Sequence, residues 1–268
     1  MRVPLLGAMA AGLVLALVGA GAARAQSASA EQKAQIAPTG SLRVAVVKIP
    51  FLAKQDAASG QLKGVAPDLG EELARRLGVP YQPMPFDSPN AGIAALRNGA
   101  ADITLLAPTP ERVGMIDFGP TFMEMEMTLI VPGNSPINSH ADADQPGRKI
   151  VAYERTAVEE MAKKKLTKAT IVRVPIFGYK QAFELIKSGE ADAFADLRDA
   201  LLSYQPELPG SRIVPGNYGS NELAIGYAKD RPLTAAVVKE FTAAAIASGF
   251  VTRAIERAGV KGAVAPGM

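Results

Sequence analysis

Short apolar runs alternate with amphipathic stretches along this chain, and glycine or proline separates most of them. Leu42-Arg43-Val44-Ala45-Val46-Val47 is a β-branched run between Gly40 and Pro50, which predicts a strand. Beyond it Leu69, Leu73 and Leu77 fall on one face of a predicted helix that Asp68 can cap, Gly78 stops and Pro80 follows. Ile93 to Asn98 reads as a second helix, ended by Gly99, and Ala101 to Leu106 as a buried strand. Strands alternating with helices predict an α/β fold with a mostly parallel sheet.

The same grammar returns further on. Lys149 to Tyr153 opens as a strand, a helix is expected over Thr156 to Leu166, and a strand over Thr170 to Val174. Phe183 to Ser188 repeats the glycine-stopped helix and Ala191 to Ala195 the strand, with an Asp three residues after the Gly in both copies: Gly99 with Asp102, Gly189 with Asp192. An ordered repeat of strand, helix and strand predicts two lobes built alike. Between them Met123 to Pro132 alternates apolar and polar residues with period two, an extended crossing strand. Glu222 to Ala228 is a second extended stretch, ahead of helices over 232–258. Two extended connections between two lobes describe a hinge, and a hinge implies a cleft.

Residues 1–25 carry an early cation, Arg2, an apolar run from Leu5 to Ala23 and the small-x-small triplet Ala23-Arg24-Ala25, the order of a cleavable secretory signal. Residues 26–39 are polar and alanine-rich, and a flexible lead-in is expected. The 268 residues hold 29 Lys+Arg and 26 Asp+Glu; without Arg2 and Arg24 the charge is almost balanced, so neither nucleic acid nor an anionic membrane is expected as a partner. With no Cys, a disulfide scaffold, thiolate nucleophile or lipoprotein anchor is excluded. One histidine, His140, leaves no two-histidine mechanism; beside Ser139, Asp142 and Asp144 it reads as solvated. The Met-Glu alternation of Met123 to Met127 is read as packing rather than a soft-metal site, and no metal or cofactor is expected.

Gly64-Val65-Ala66-Pro67-Asp68-Leu69 with Leu73 to Gly78, then Ala95 to Asp102, Thr109-Pro110-Glu111-Arg112 with Asp117-Phe118, and Gly189 to Ala193 resemble, in this order, the family 3 solute-binding proteins of bacterial ABC importers. The likeness covers roughly residues 40–258. It implies a two-lobed periplasmic binding protein of the type II-like α/β fold, lobe 1 from 40–130 plus 229–262 and lobe 2 from 131–228 with the hinge strands. It further implies a monomer, not an enzyme, that closes around a small carboxylate solute, an amino acid or organic acid, and delivers it to a membrane permease on a separate chain. The rivals are a periplasmic dehydratase like the cyclohexadienyl dehydratases, which needs a cleft carboxylic acid with a raised pKa, and a ligand-sensing receptor domain.

Thr109 is a plausible helix cap and Pro110 suits a first helical position, so Arg112 should open a helix just beyond a strand end, where ligands of open α/β sheets sit. The resemblance makes Arg112 the clamp on the solute carboxylate and adds Leu105, Ala107 and Thr109 beside it, Ala107 standing where many relatives have a hydroxyl. In the second lobe it points to Arg155-Thr156, where the family commonly has Gly-Thr. Thr156 can cap and bind; Arg155 either answers a second acidic group or pairs with Glu159. Relatives that bind amino acids set an aspartate against the ammonium five residues after the position of Asp192. Here the interval to Asp196 is four, and alternation turns its carboxylate the other way unless the strand bulges. Phe51 is either an aromatic wall of the pocket or a core residue.

Overall fold

The computed structural model describes residues 28–176 and 178–267. The expected signal, residues 1–25, lies outside them. The first half of the chain runs α1 (Ala30–Ile36), β1 (Leu42–Val47), a small hairpin of β2 (Lys54–Gln55) and β3 (Leu62–Lys63), α2 (Val65–Leu77), β4 (Tyr81–Phe86), α3 (Pro89–Arg97), β5 (Ile103–Leu106), α4 (Pro110–Met115) and the long β6 (Asp117–Val131). The second runs α5 (His140–Ala143), β7 (Lys149–Tyr153), α6 (Ala157–Lys165), β8 (Thr170–Val174), α7 (Tyr179–Lys187), β9 (Ala193–Leu197) and α8 (Arg198–Tyr204). The chain then closes with β10 (Arg212–Ile213), β11 (Gly219–Tyr227), α9 (Pro232–Ala247), α10 (Phe250–Ala258) and β12 (Ala263–Val264).

Local chemistry sets these limits. Gly78 ends α2 in the left-handed region at φ 68°, its N–H donating back to Ala74 and Arg75, a conformation that favours a residue without Cβ. Ser88 caps α3, accepting from Ala91, and Pro89 fills the first turn. Asp102 and Asp192 have matching tasks. Each accepts the backbone N–H of an opening strand, Arg43 for Asp102 and Lys149 for Asp192, both at 2.8 Å. Each returns its own N–H to the carbonyl of that same residue.

Strands β4, β1 and β5 are parallel, as are β8, β7 and β9. Antiparallel β11 and β6 stand between the two groups, giving the order β4-β1-β5-β11-β6-β9-β7-β8. The first part of β6 pairs with β11 and its last residues with β9, so one strand belongs to both halves. Met123, Met125 and Met127 are buried along it. The largest apolar cluster runs through both halves; separate clusters back β7–β9 on one side and β1–β5 on the other. A Cβ on Gly219 would stand 2.5 Å from Met161, which shows how closely α6 approaches the head of β11.

Three readings change. Residues 30–36 are not a flexible lead-in: they form α1, begun by a capping box in which Ser29 and Gln32 satisfy each other's amides. Ile36 is buried, and Gln35 accepts the N–H of Thr234 at the head of α9. Asp68 does not cap α2, which starts three residues earlier; it pairs with Arg257 of α10 at 2.6 Å. His140 is half-buried rather than solvated, 3.2 Å from the Thr128 hydroxyl, and burial followed by the charge of Arg198 lowers its pKa.

Candidate functional site

A cleft of about 830 Å³ lies where the turns after β5 and β7 meet the head of β11. Both turns leave the carboxyl ends of parallel strands, the edge at which open α/β sheets bind ligands. Residues 107–112 form one wall and 155–157 with Glu160, Met161 and Lys164 the other; Ser220, Asn221 and Glu222 lie between, and Asn90 borders the first wall.

On the first wall Thr109 caps α4, its hydroxyl accepting from the Arg112 amide at 3.4 Å. The guanidinium of Arg112 donates to the Ala107 carbonyl at 3.0 Å, which folds the side chain back over the strand end. Arg112 is only partly exposed and forms no ion pair among the described residues. Burial holds its pKa below the usual arginine value, against the opposing charge of Glu111. A half-buried cation lacking a carboxylate partner carries an uncompensated desolvation cost, which a bound anion would relieve.

On the second wall Thr156 caps α6, accepting from Glu159 at 3.2 Å while donating to the Tyr153 carbonyl at 2.8 Å. Arg155 sits at φ 60°, one of two non-glycine residues with positive φ among those described. That conformation is what a glycine at this point would adopt without strain. Its backbone N–H donates to Glu159 at 2.7 Å, whereas the guanidinium is exposed and has no ion-pair partner among the described residues. Glu159 is buried against Lys163 and Arg173; burial raises its pKa, but the bonds from Lys163, the Arg155 amide and Arg173 outweigh it, leaving the pKa lowered.

Five of the residues singled out in the sequence, Ala107, Thr109, Arg112, Arg155 and Thr156, are therefore brought together. Three are not. Leu105 turns its side chain into the core beside Ile225, 2% exposed. Phe51 lies in a separate depression with Pro50, Lys54, Gly64 and Arg257. The amides of Leu52 and Ala53 both bond to Ile49, curling the chain so that these two residues enter the core and Phe51 packs on its outside. Asp196 pairs in register with Thr128 and shares the Phe194 face of β9, the one packed under α7 and α8, rather than lining the cleft. It is 6% exposed, its carboxylate accepts from the adjacent Leu197 amide at 2.7 Å, and burial pushes its pKa up to about 7. Sequence reasoning passed over Asn90, Met161, Lys164 and Ser220 to Glu222. Lys164 could have been found from the helical spacing that puts Glu160 one turn and Lys164 two turns beyond Thr156 on one side of α6.

The sequence model of bacterial extracellular solute-binding proteins, family 3, matches residues 42–259. The chain belongs to this family. A glutamine-binding protein of Geobacillus stearothermophilus is 25% identical over 177 residues, a match spanning 64% of this chain and 66% of that relative, just under two thirds of its length. Among solved structures, an ancestral amino acid-binding protein described as a precursor of cyclohexadienyl dehydratase is 27% identical, with a TM-score of 0.60 over 83% of this chain and 96% of that one. An amino acid ABC transporter substrate-binding protein of Streptococcus pneumoniae, bound to L-arginine, is 25% identical with a TM-score of 0.59, again over 83% and 96%. The α/β, two-lobed, type II-like fold read from the sequence is the fold found, and the three relatives just named are binding proteins.

Proposed function

We propose that this family 3 protein is a non-enzymatic periplasmic receptor of an ABC importer, secreted through residues 1–25 and acting as a monomer. It takes a small carboxylate-bearing solute from one lobe, 40–130 with 229–262, to closure against the other, 131–228, the hinge lying in β6 and β11. The observation that carries this reading is Arg112: a half-buried guanidinium at a strand end, in a cleft, without an ion-pair partner among the described residues. Its paired donors match the two oxygens of a carboxylate. Thr156 and the first turn of α6 offer polar contacts from the other wall, so a solute touching both walls binds the closed form better than the open one and shifts the population toward it. The similarity to amino acid-binding proteins supports the solute class, and their transporter names support a permease as partner.

Calorimetry with Arg112→Ala tests the reading: loss of one member of a desolvated charge pair is expected to cost about 2–5 kcal/mol of solute affinity. Affinity unchanged in that variant would remove Arg112 from the site. The likeness to a precursor of cyclohexadienyl dehydratase keeps an enzyme reading in view. Against it, the carboxyl with a raised pKa, Asp196, is buried away from the cleft rather than poised in it. Release of product from arogenate or prephenate by the purified protein would reverse that choice.

A further inference from the structure

The cleft's charges are unevenly satisfied. Of its carboxylates, Glu160 is already paired with Lys163 at 3.0 Å and Glu222 accepts from the Thr121 hydroxyl at 3.1 Å; Glu111 is exposed beside Arg112. Its three cations, Arg112 on the wall after β5 and Arg155 and Lys164 on the wall after β7, form no ion pair among the described residues. Unpaired positive charge therefore faces the same space from both walls.

Arg155 carries the stronger signal of the second pair. Its backbone is held in the left-handed region, unfavourable for a residue with a Cβ, while Glu159, the partner at i+4, is taken up by the Arg155 amide, Lys163 and Arg173. The guanidinium is thus left exposed at the cleft, its donors uncommitted among the described residues. We infer that the solute carries two acidic groups, one held by Arg112 and the other read by Arg155, which makes Arg155 the residue that separates diacids from mono-acids. This rests on the receptor reading above and narrows it: the ligand class is a short dicarboxylate, with or without a further polar group between its ends. Both acids are engaged together only when the two walls approach, so the second acid also strengthens closure.

The test is isothermal calorimetry on the purified protein with malonate, succinate, glutarate and adipate, each beside the mono-acid of the same carbon number. At least one diacid is expected to bind ten-fold or more tightly than its mono-acid. Arg155→Gly, which suits the local backbone and should fold, is expected to lose ten-fold or more for that diacid and to leave mono-acid affinity within about two-fold. A diacid bound equally by wild type and Arg155→Gly, a mono-acid bound as tightly as its diacid, or no diacid bound at all overturns the inference. Arg112→Ala separates the two levels. If it abolishes binding of every acid while Arg155→Gly changes nothing, the second subsite fails and the receptor reading survives; if it leaves acid binding unchanged, Arg112 is removed from the site and the clamp on which both readings rest fails.

Discussion

Asp102 and Asp192 occupy the same place in the two repeats, yet their surroundings differ. Asp102 is 3% exposed at its side chain and takes three bonds from Arg43, one from the backbone and two from the guanidinium. Asp192 is 29% exposed and takes one from the Lys149 backbone and one from Arg148, the residue before the strand. The repeated glycine-x-x-aspartate is thus a structural staple between the first and last parallel strands of each half, and the first half has buried it more deeply. Asp102→Ala, which strands the Arg43 charge, is expected to cost about 3–5 kcal/mol, as for breaking a buried pair, against about 1 kcal/mol for the half-exposed Asp192→Ala. Urea unfolding of both variants measures the gap. Equal losses would mean that burial does not set the difference.

The contrast continues up the same strands. Leu106 in β5 corresponds to Asp196 in β9, four residues past each staple. In the first half that position is a fully buried Leu; in the second it is a buried carboxyl with a pKa of about 7. The Asp196 side chain in the unfolded chain loses its proton near the ordinary value of 3.8, whereas the folded one keeps it until about 7. The native state therefore binds more protons in that window, and its stability falls as pH rises from about 4 to 7 and levels off above. Asp196→Asn removes the penalty. It is expected to raise stability by roughly 4 kcal/mol at pH 8 and by well under about 1 kcal/mol at pH 4. Denaturant titrations of wild type and variant at pH 4, 6 and 8 read that difference directly, and a difference that does not grow with pH would show that the buried carboxyl is stabilised by something other than its proton.

What the sequence made legible follows the range of the forces involved. Strands such as β1 and β8, glycine-stopped helices such as α3 and α7, and the Thr109 cap depend on residues a turn apart, and their patterns could be read directly. The Asp196 side chain's direction also followed from period-two alternation along one strand. The α1 helix was legible too, since Ser29 and Gln32 spell a capping box, but its alanine-rich polar composition masked the signal. Phe51 was not legible: whether it borders the cleft or the opposite side depends on how Ile49 gathers the amides of Leu52 and Ala53, a turn with no strong residue signature. Nor were Ser220 to Glu222, whose place in the site comes from the pairing of β11 with β6, two segments nearly a hundred residues apart.

The smallest effect separates the two turns that line the cleft. The turn of the first half, 107–109, reaches its helix without a residue of positive φ, whereas that of the second half does so through Arg155 at φ 60°. For a residue with a Cβ the left-handed region costs about 1–2 kcal/mol, part of which glycine gives back through its larger unfolded-state entropy. Arg155→Gly is therefore expected to raise stability by about 0.5–1 kcal/mol, with the Glu159 bond to the backbone N–H at this position intact. Thermal unfolding would register it as a rise of a few degrees at most. A lower midpoint would mean that the arginine side chain itself braces the turn, and the two walls would then differ in packing rather than in strain. A higher one, together with weaker binding of acids, would mark Arg155 as a place where this protein holds a local strain in exchange for a charge facing the cleft.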